Sequence, residues 1–452
     1  MKQSPEHTEQ PGPLPVLAGS HEYLDFVGSQ TMVVDPRAQG FGLSEYGFLD
    51  PYANKFFILS GGDGAFVSPA PVSERLLEYY DGLSLDVAKS KSIINVGSGH
   101  DGSSVIQRLA TNRLGQDLLT RRRGEFVVPY MMTAEVEAFA EAEGFNTLAS
   151  AAAISRMGDK AHFQRELGRI SDDVHAETGF AVAIQTMPEF YAGDRHSAID
   201  AYTEISHGGR RDIMVIKPKS ASALGVFVSR AAAGETGMHT IINEHFDEGE
   251  RVLLEERVRH NHSPSMQGTH TIAGDYEHLY FGTQLLSDKG DAEVQYDGSE
   301  IPFGATTVEV RPEELARARR AHEQLGELII KPHGIHGIAG FDAVMDVTED
   351  GQINDMKVVE LNVHLPGSFA MYAAMVKIFP DGFRGVARNW SVPLASGETA
   401  ESFLEHNRDL LVAEPQSYGL FPLNMSYADK VDVIAFAPDA AGLKHLVGRV
   451  NT

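Results

Sequence analysis

Short apolar runs that alternate with helical patterns constrain the fold of this chain more than any other feature of its sequence. Each run is long enough for one buried strand and too short for a typical helix. The runs lie at residues 56–59, 92–96 and 126–130, and the helical patterns lie at 72–80, at 103–114 and after Thr133, a predicted N-cap. Because repeated strand–helix units build parallel sheets, residues 18–150 are predicted to form an open α/β domain.

The middle of the chain has a different character, because its strand candidates follow one another closely. They lie at residues 212–216, 225–228, 251–254, 279–281, 339–347 and 356–361. Pro312 opens a helical pattern, and the fixed φ of proline suits the first turn of a helix. An α+β part is therefore predicted to follow the α/β domain.

Charge and composition exclude several classes of function. The 452 residues include 38 Lys and Arg against 63 Asp and Glu, a net charge of −25. Such a surface repels nucleic acids and anionic membranes, so neither is expected as a partner. The chain has no cysteine, and therefore no disulfide or thiolate site. No run approaches the ~18–20 apolar residues that span a bilayer. Residues 1–17 resemble a disordered polar tail and not a signal peptide, so a cytoplasmic protein is expected.

Two of the predicted strands carry acidic side chains that a hairpin would bring together. Period-two alternation places Asp342 and Asp346 on one face of the first strand, and Glu360 and Asn362 on one face of the second. Gly351 lies in the polar stretch between the strands, where a hairpin turn is needed. Oxygen ligands of this kind suit Mg²⁺ held together with phosphate oxygens. An ordinary solvated hairpin face is the alternative interpretation.

Two further patterns suit a nucleotide, and each has a plain structural alternative. Lys217 ends an apolar strand and precedes a run of small residues that reaches Gly225. The lysine ammonium and the backbone amides of such a loop can hold a phosphate group. A hairpin with exposed lysines is the alternative. Glu255 and Glu256 end another apolar strand, and the backbone as far as Val258 can meet an adenine edge. An amphipathic strand end is the alternative there.

The order of these motifs along the chain is informative. Lys160, which follows Asp159 at the start of a helical stretch, comes first. It is followed by Lys217, by residues 255–258 and then by the acidic strand pair, an order and spacing that resemble the ATP-grasp superfamily. The resemblance covers roughly residues 125–370, and the segment before it is similar to the domain that precedes the ATP-grasp module in these enzymes.

The resemblance implies a role for each motif. Lys160 and Lys217 reach the nucleotide phosphates, and closure of the loop that ends at Gly225 excludes water. The implied adenine ligands are Glu255 and the backbone of Glu256 and Val258. The implied metal ligands are Asp342, Glu360 and Asn362, which hold two Mg²⁺ ions, with Mn²⁺ able to substitute. Lys217 and Glu360 are the implied catalytic residues.

The resemblance also implies a domain plan and an activity. The plan is a tail at 1–17, the α/β domain at 18–150, a small lobe at 151–260, a large lobe with the metal site at 261–375, and a segment at 376–452 that packs on the large lobe. The activity is an ATP-dependent ligase that activates a small-molecule or peptide carboxylate as an acyl phosphate and couples it to an amine, forming an amide or peptide bond. A homodimer is the default oligomer.

Other outcomes of the same chemistry stay open at this point. They are carboxylation, thioester formation, loading of an amino acid onto a carrier protein, and a nucleotide-binding protein without ligase activity. Two departures from the superfamily are also visible. No arginine stands just before Asp342, so the cation near the transferred phosphate is sought at Lys219 or at an unidentified arginine. Asp346 shares the face of Asp342 and is the alternative metal ligand.

The remaining motifs are interpreted more plainly. The glycine-rich residues 97–102 lack dinucleotide-loop spacing and are interpreted as a strand-to-helix turn beside the cleft. Residues 262–267 resemble a substrate-side loop of peptide-forming relatives. The histidines show no zinc-site spacing.

Overall fold

The computed structural model describes residues 20–35, 50–98, 103–207, 213–216, 218, 229–232, 234–258, 260–271, 274–288 and 294–450. The sequence predictions that fall outside these residues are the tail at 1–17, most of the turn at 97–102, Lys217, Lys219, Gly225 and the strand at 225–228. Within the described residues the strands assemble into three sheets. None of the described helices combines the length and apolar character needed to cross a bilayer.

The first sheet is the parallel sheet predicted for the N-terminal part. Its strands are β1 (Thr31–Val33), β2 (Ala65–Ser68), β3 (Ile93–Asn95), β4 (Phe126–Pro129) and β5 (Asn146–Thr147). The order is β3-β2-β1-β4-β5, and all neighbours run parallel. The helices are α1 (Ser20–Ser29), α2 (Glu74–Gly82), α3 (Val105–Thr111), α4 (Arg113–Arg121), α5 (Ala134–Glu143) and α6 (Ala151–Met157). Thr133 caps α5 as predicted, because its side chain accepts the Val136 N–H.

One predicted strand of this region is wrong. Residues 56–59 form the end of a 3-10 helix, Ala53–Leu59, in which every residue is buried. The strand that enters the sheet next is β2, a few residues later. A short apolar run buried on all sides has no polar face, and therefore no periodicity that separates strand from helix.

The second sheet is small and antiparallel. Its strands are β6 (Phe190–Tyr191), β7 (Ile213–Ile216), β8 (Ser229–Ala232) and β9 (Arg251–Glu256), in the order β6-β9-β7-β8. The accompanying helices are α7 (Lys160–Thr178), α8 (Arg195–Ile205) and α9 (Gly234–His245). One face packs on α8 and α9, whereas Ile216 and Leu253 on the other face contact Ala161 of α7. This second face therefore turns toward the start of α7.

The third sheet is antiparallel and holds the acidic hairpin. Its strands are β10 (Pro264–His270), β11 (Tyr276–Asp288), β12 (Val294–Ile301), β13 (Gly337–Val347), β14 (Ile353–Asn362), β15 (Val386–Pro393), β16 (Gly419–Asn424) and β17 (Lys430–Ala437). The order is β14-β13-β10-β11-β12-β15-β17-β16. The remaining helices are α10 (Pro312–Leu325), α11 (Gly367–Ile378), α12 (Ala400–His406) and α13 (Ala440–Val450). The predicted fold class, a parallel sheet followed by an α+β part, is confirmed.

Helix α11 joins the N-terminal domain to the third sheet. Ten of its 12 residues are buried, and a helix that is apolar all round belongs inside a protein. It packs against the 3-10 helix Ala53–Leu59 on one side and against β12 and β15 on another. Tyr280 of β11 stacks on Tyr372 of α11 with ring centroids 4.7 Å apart. The start of α11 is consequently held in a fixed position beside the acidic hairpin.

The C-terminal strands also contact the N-terminal domain. Tyr80 of α2 stacks on Phe421 of β16 with ring centroids 5.1 Å apart, and its hydroxyl donates to the Pro422 carbonyl at 3.1 Å. Asn54 Nδ2 donates to Ser426 Oγ at 2.7 Å. The segment after residue 376 therefore continues the third sheet and at the same time covers the N-terminal domain.

Replacing Phe421 by alanine tests this packing. Phe421 is fully buried, so Phe421→Ala is expected to destabilise the protein by about 3–5 kcal/mol and to lower the urea midpoint. Leu114→Ala serves as the control, because Leu114 is 67% exposed and its loss should cost less than about 0.5 kcal/mol. Equal midpoints for the two variants would contradict the described packing of β16.

Candidate active site

The acidic hairpin forms, and its register brings the predicted metal ligands together. β13 and β14 are antiparallel neighbours in which Asp342 lies opposite Glu360 and Gly340 lies opposite Asn362. Residues directly opposite each other in such a pair present their side chains on the same face. Asp346 lies opposite Asp355, and one of its oxygens accepts the Asn354 amide at 3.1 Å. The geometry therefore favours Asp342 over Asp346 as the partner of Glu360.

Asp342 is held in one orientation by two donors. Ser265 Oγ donates to Asp342 Oδ1 at 2.8 Å, and Asn362 Nδ2 donates to Oδ2 at 2.8 Å. The carboxylate is only 8% exposed. Burial, with a further contribution from the charge of Glu360, raises the pKa of Asp342 to about 6. Two facing acids in a buried position are the arrangement that a divalent cation stabilises.

Lys160 is brought to this pair by the start of α7. Its side chain is 4% exposed, and Nζ lies 3.5 Å from Glu360 Oε1. The backbone N–H of Lys160 donates to the Pro218 carbonyl at 2.9 Å, which ties α7 to the residue just beyond β7. Gln164, one turn later, donates to the Val358 carbonyl of β14 at 2.9 Å. The helix therefore bridges the second and third sheets and places the lysine between them.

Ion pairs fix the start of α7 from the other side. Asp159 is the N-cap and accepts the His162 N–H at 3.1 Å. The same carboxylate accepts Arg251 Nη1 of β9 at 2.6 Å, and Arg251 also pairs with Glu189. A bidentate guanidinium between two acids leaves the helix terminus little freedom relative to β9.

Glu255 of β9 is the third acid of the site. It is 4% exposed, and no described residue donates a hydrogen bond to its Oε1. Burial raises the pKa of Glu255 to about 7; the charge of Lys160 lowers that pKa and the charge of Glu360 raises it. Glu255 lies two residues after Leu253, on the face of β9 that contacts Ala161 next to Lys160. Its buried oxygen without a partner is suited to accept a donor from a ligand.

The predicted adenine backbone is partly engaged within the protein. The Glu256 N–H donates to the Gln185 carbonyl at 2.9 Å. The Val258 carbonyl lies 3.1 Å from His260 Nδ1. The structure therefore places Glu255, Glu256 and Val258 at one strand end, with Glu255 on the face that turns toward the start of α7.

Two polar residues of the site were predicted only as members of a substrate-side loop and not as neighbours of Asp342. Ser265 and Gln267 lie on β10, where Ser265 is opposite Asp342, and Gln267 Nε2 donates to Ser265 Oγ at 2.7 Å. A Cβ at residue 340 would lie 2.2 Å from Gln267 Oε1, so Gly340 makes room for this side chain. The interpretation of residues 262–267 as a loop is wrong from Pro264 onward. The alternation of Ser265, Met266 and Gln267 was the signal for a strand.

The charge balance of the site is uneven. Among the described residues, Lys160 contacts Glu360, and the charge of Glu360 acts on two further buried carboxyl groups, those of Glu255 and Asp342. The described residues contain no group of three His, Asp or Glu side chains placed to hold one metal ion, so the candidate metal ligands are two carboxylates and the Asn362 amide.

A cavity of about 450 Å³ lies beside α7, but it is lined by residues other than these candidate ligands, namely Ala161, Arg165, 186–191, Arg251 and Leu253.

The raised pKa of Glu255 predicts a pH dependence of stability. Between its ordinary pKa of 4.5 and about 7, the folded protein keeps a proton that the unfolded chain has lost, so the free energy of unfolding falls as pH rises. Glu255→Gln removes this titration. Above about pH 8 the free energy of unfolding of the variant is expected to exceed that of the native protein by up to about 3 kcal/mol, and the difference should shrink toward pH 4.5.

Urea unfolding at several pH values without nucleotide or Mg²⁺ measures the effect. Glu349→Gln, in an exposed turn, is the matched control and should leave the slope unchanged. Parallel pH profiles for the native protein and Glu255→Gln would contradict the buried environment of this acid.

Comparison with known proteins identifies the fold. The chain matches no protein-family model and no curated protein sequence. It is similar to solved structures, among them the N5-carboxyaminoimidazole ribonucleotide synthetase PurK in its ADP complex, with a TM-score of 0.55 over 94% of this chain and 96% of that chain at 10% identity. A biotin carboxylase–beta-gamma-ATP complex from Campylobacter jejuni gives a TM-score of 0.54 over 93% and 91% at 12% identity.

A third structure extends the likeness. The N5-carboxyaminoimidazole synthase from Aspergillus clavatus, in complex with ADP and 5-aminoimidazole ribonucleotide, gives a TM-score of 0.54 over 94% of this chain and 99% of that chain at 10% identity. Identities this low establish the fold alone. The resemblance predicted from the sequence is confirmed at that level: the chain has the fold of the ATP-grasp ligases, with the parallel-sheet domain in front of the ATP-grasp module.

Proposed function

We propose that this protein is an ATP-dependent carboxylate–amine ligase. The observation that carries the proposal is the convergence of Lys160, Glu255, Asp342, Glu360 and Asn362, which come from three separate parts of the chain. They meet where the second sheet faces the third. In an acidic protein, a buried set of oxygen ligands beside a lysine is suited to a nucleotide with its metal ions.

The residues present fit Mg²⁺. Asp342 and Glu360 face each other, and part of the raised pKa of Asp342 comes from Glu360, so a divalent cation would relieve their repulsion. Asp342, Glu360 and Asn362 would hold two ions, and Mn²⁺ can take the same ligands. Mg²⁺ bound there supplies charge neutralisation at the phosphate oxygens. Ser265 holds the Asp342 carboxylate in place from the neighbouring strand.

The nucleotide would bind between the two sheets. Lys160 offers a buried ammonium to the phosphates, and the ion pairs of Asp159 with Arg251 keep its helix terminus from moving. Glu255 offers the buried oxygen that lacks a described donor. Lys217 and Gly225, outside the described residues, complete the proposed set from the sequence.

The proposed reaction has two steps. An oxygen of the substrate carboxylate attacks the γ-phosphorus of ATP, and the bond to the leaving ADP oxygen breaks, which gives an acyl phosphate. The amine nitrogen then attacks the carbonyl carbon and loses a proton, and phosphate leaves as the amide forms. Positioning and charge neutralisation supply most of the catalysis in such a reaction.

The solved neighbours support this reaction class. One is described as a biotin carboxylase domain dimer that holds MgADP and bicarbonate, and others hold ADP or ATP. Amino acids and peptides are our proposed substrates, and bicarbonate enters the test as the carboxylate named for that neighbour. A homodimer and a cytoplasmic location stay predictions.

Acid-dependent release of ADP tests the function. Purified protein with ATP and Mg²⁺ is supplied with a panel of amino acids, peptides and bicarbonate, with and without an added amine. Hydroxylamine is included as a small nucleophile, because it traps an acyl phosphate as a hydroxamate. ADP and hydroxamate should appear only when a suitable acid is present. ATP binding without acid-dependent ADP under any condition would instead favour a nucleotide-binding protein without ligase activity.

Replacing Glu360 tests the site. Glu360→Gln removes one negative ligand and is expected to lower kcat by roughly 100-fold or more while the fold is retained, which is the scale of losing one charge-stabilising group. Asp346→Asn is the matched control, because Asp346 lies on the same hairpin face but opposite Asp355, and its kcat should stay within about threefold of the native value. Near-native turnover of Glu360→Gln would show that the metal assignment is wrong.

A further inference from the structure

A buried lysine outside the nucleotide site has no described acceptor for its ammonium group. Lys55 lies in the 3-10 helix Ala53–Leu59 and is only 8% exposed. Among the described residues, no acceptor forms a hydrogen bond or ion pair with its ammonium group; its described contact is with the ring of Tyr52, whose centroid lies 5.6 Å from Nζ. A buried ammonium that lacks an acceptor is costly unless a ligand supplies one.

Lys55 and Tyr52 point to the same place, the first residue of α11. A Cβ built on Gly367 would lie 3.3 Å from Lys55 Nζ and 3.4 Å from the Tyr52 hydroxyl. Two polar groups from the N-terminal domain therefore meet at one glycine. Any side chain at residue 367 would occupy the space between them.

The backbone at this point also favours an anion. Pro366 precedes α11 and provides no side-chain cap. The first N–H groups of a helix have no intrahelical acceptor, and the helix dipole adds positive potential at that end. A helix start, an ammonium group and a phenol hydroxyl together form a site for a carboxylate.

A neighbouring acid, Asp432, favours the charged form of Lys55 but forms no described hydrogen bond or ion pair with it. Burial lowers the pKa of Lys55, the charge of Lys430 lowers it further, and an opposing contribution comes from the charge of Asp432 of β17. Its own oxygens accept Ser391 Oγ at 2.5 Å and Asn424 Nδ2 at 3.5 Å. The Asp432 carboxylate is thus engaged by Ser391 and Asn424, and it leaves the Lys55 ammonium without a described acceptor.

The site lies within reach of the reacting centre. Gly367 follows Asn362 by five positions, which an extended chain covers in at most about 17 Å. The Leu365 N–H donates to the Tyr130 carbonyl at 2.9 Å, and the rings of Tyr130 and Tyr52 lie 6.4 Å apart. Tyr130 therefore lies beside both Tyr52 and the short segment that joins Asn362 to Gly367.

We propose that Lys55, Tyr52 and the first turn of α11 bind the carboxylate of the amine substrate. This inference rests on the proposed ligase function. The carboxylate that is activated must lie at the transferred phosphate of ATP, and it becomes part of the new amide. A second anion site therefore binds a carboxylate that the reaction leaves unchanged, which is that of the amine substrate. The amine substrate is accordingly an amino acid or peptide with a free carboxylate.

The test compares amine substrates that differ only in that carboxylate. KM and kcat are measured for amino acids and for their carboxamides, in the native protein and in Lys55→Met. The KM of the carboxylate-bearing amines should rise roughly 10- to 100-fold in the variant, the scale of one lost charged hydrogen bond. The KM of the carboxamides should be equal in both proteins. Tyr52→Phe, a milder change, should raise the same KM several-fold.

Lys377→Met is the matched control. Lys377 lies in the last turn of α11, and its ammonium donates to the Ser60 carbonyl at 3.0 Å, so its side chain is satisfied within the protein. Burial lowers the pKa of Lys377 to about 8. This variant should lose stability and keep its KM for both kinds of amine.

The outcomes separate this inference from the proposed function. Hydroxamate formation in Lys55→Met at the native rate shows that activation of the acid is intact, whatever happens to the amine. An unchanged KM for carboxylate-bearing amines would overturn the inference. A rise confined to the KM of the acid would overturn it too, and would assign the site to a second anionic group of that substrate. Absence of acid-dependent ADP and hydroxamate in the native protein would remove both proposals.

Discussion

The grouping of three carboxyl groups at Glu360, which contacts Lys160, is the interaction on which the rest of this structure depends. Glu255 comes from the second sheet, Asp342 and Glu360 come from the third, and burial raises the pKa of both Glu255 and Asp342. Such a cluster is unfavourable in the protein alone, because like charges approach in a poorly hydrated space. It is favourable when cations share the site. A loss of folding stability caused by such a buried group of like charges is typical of functional sites.

Several contacts hold this unfavourable cluster together. The start of α7 is tied to the residue beyond β7 by the Lys160 N–H, to β9 by Asp159 and to β14 by Gln164. These contacts come from backbone groups and ion pairs beside the cluster. The second and third sheets are therefore joined at the place where the charges meet. A ligand that binds there would contact both sheets at once.

Helix α11, which follows the hairpin in the chain, also joins two parts of the structure. Its apolar body anchors it between the N-terminal domain and the third sheet, and its first residue carries no side chain. The body of the helix is therefore held by packing, while no side chain at its first residue separates the backbone from the neighbouring polar groups. Lys55, in the 3-10 helix, and Tyr52, which caps it, reach that end from just before residues 56–59, which the sequence predicts to be a strand. The N-terminal domain thus contributes to the proposed carboxylate site as well as to the fold.

Much of the architecture could be predicted from local patterns. The strand–helix alternation before residue 150 indicated the parallel sheet, and period-two alternation with Gly351 indicated the hairpin of β13 and β14. The same alternation, applied to both strands of the hairpin, predicted that Asp342, Glu360 and Asn362 share one face. These predictions succeed because backbone periodicity and turn chemistry act between residues close in the chain.

By itself, the sequence determined which residues share a strand face and which segments begin helices, since steric and hydrogen-bonding preferences of neighbouring residues settle both. Only the tertiary structure decided that Lys160 meets Glu360, that Ser265 orients Asp342, and that Lys55 faces Gly367. Each of these contacts joins residues that lie far apart in the chain. Their distances follow from how whole helices and sheets dock, and that docking minimises the free energy of the entire packed interior rather than of any local segment.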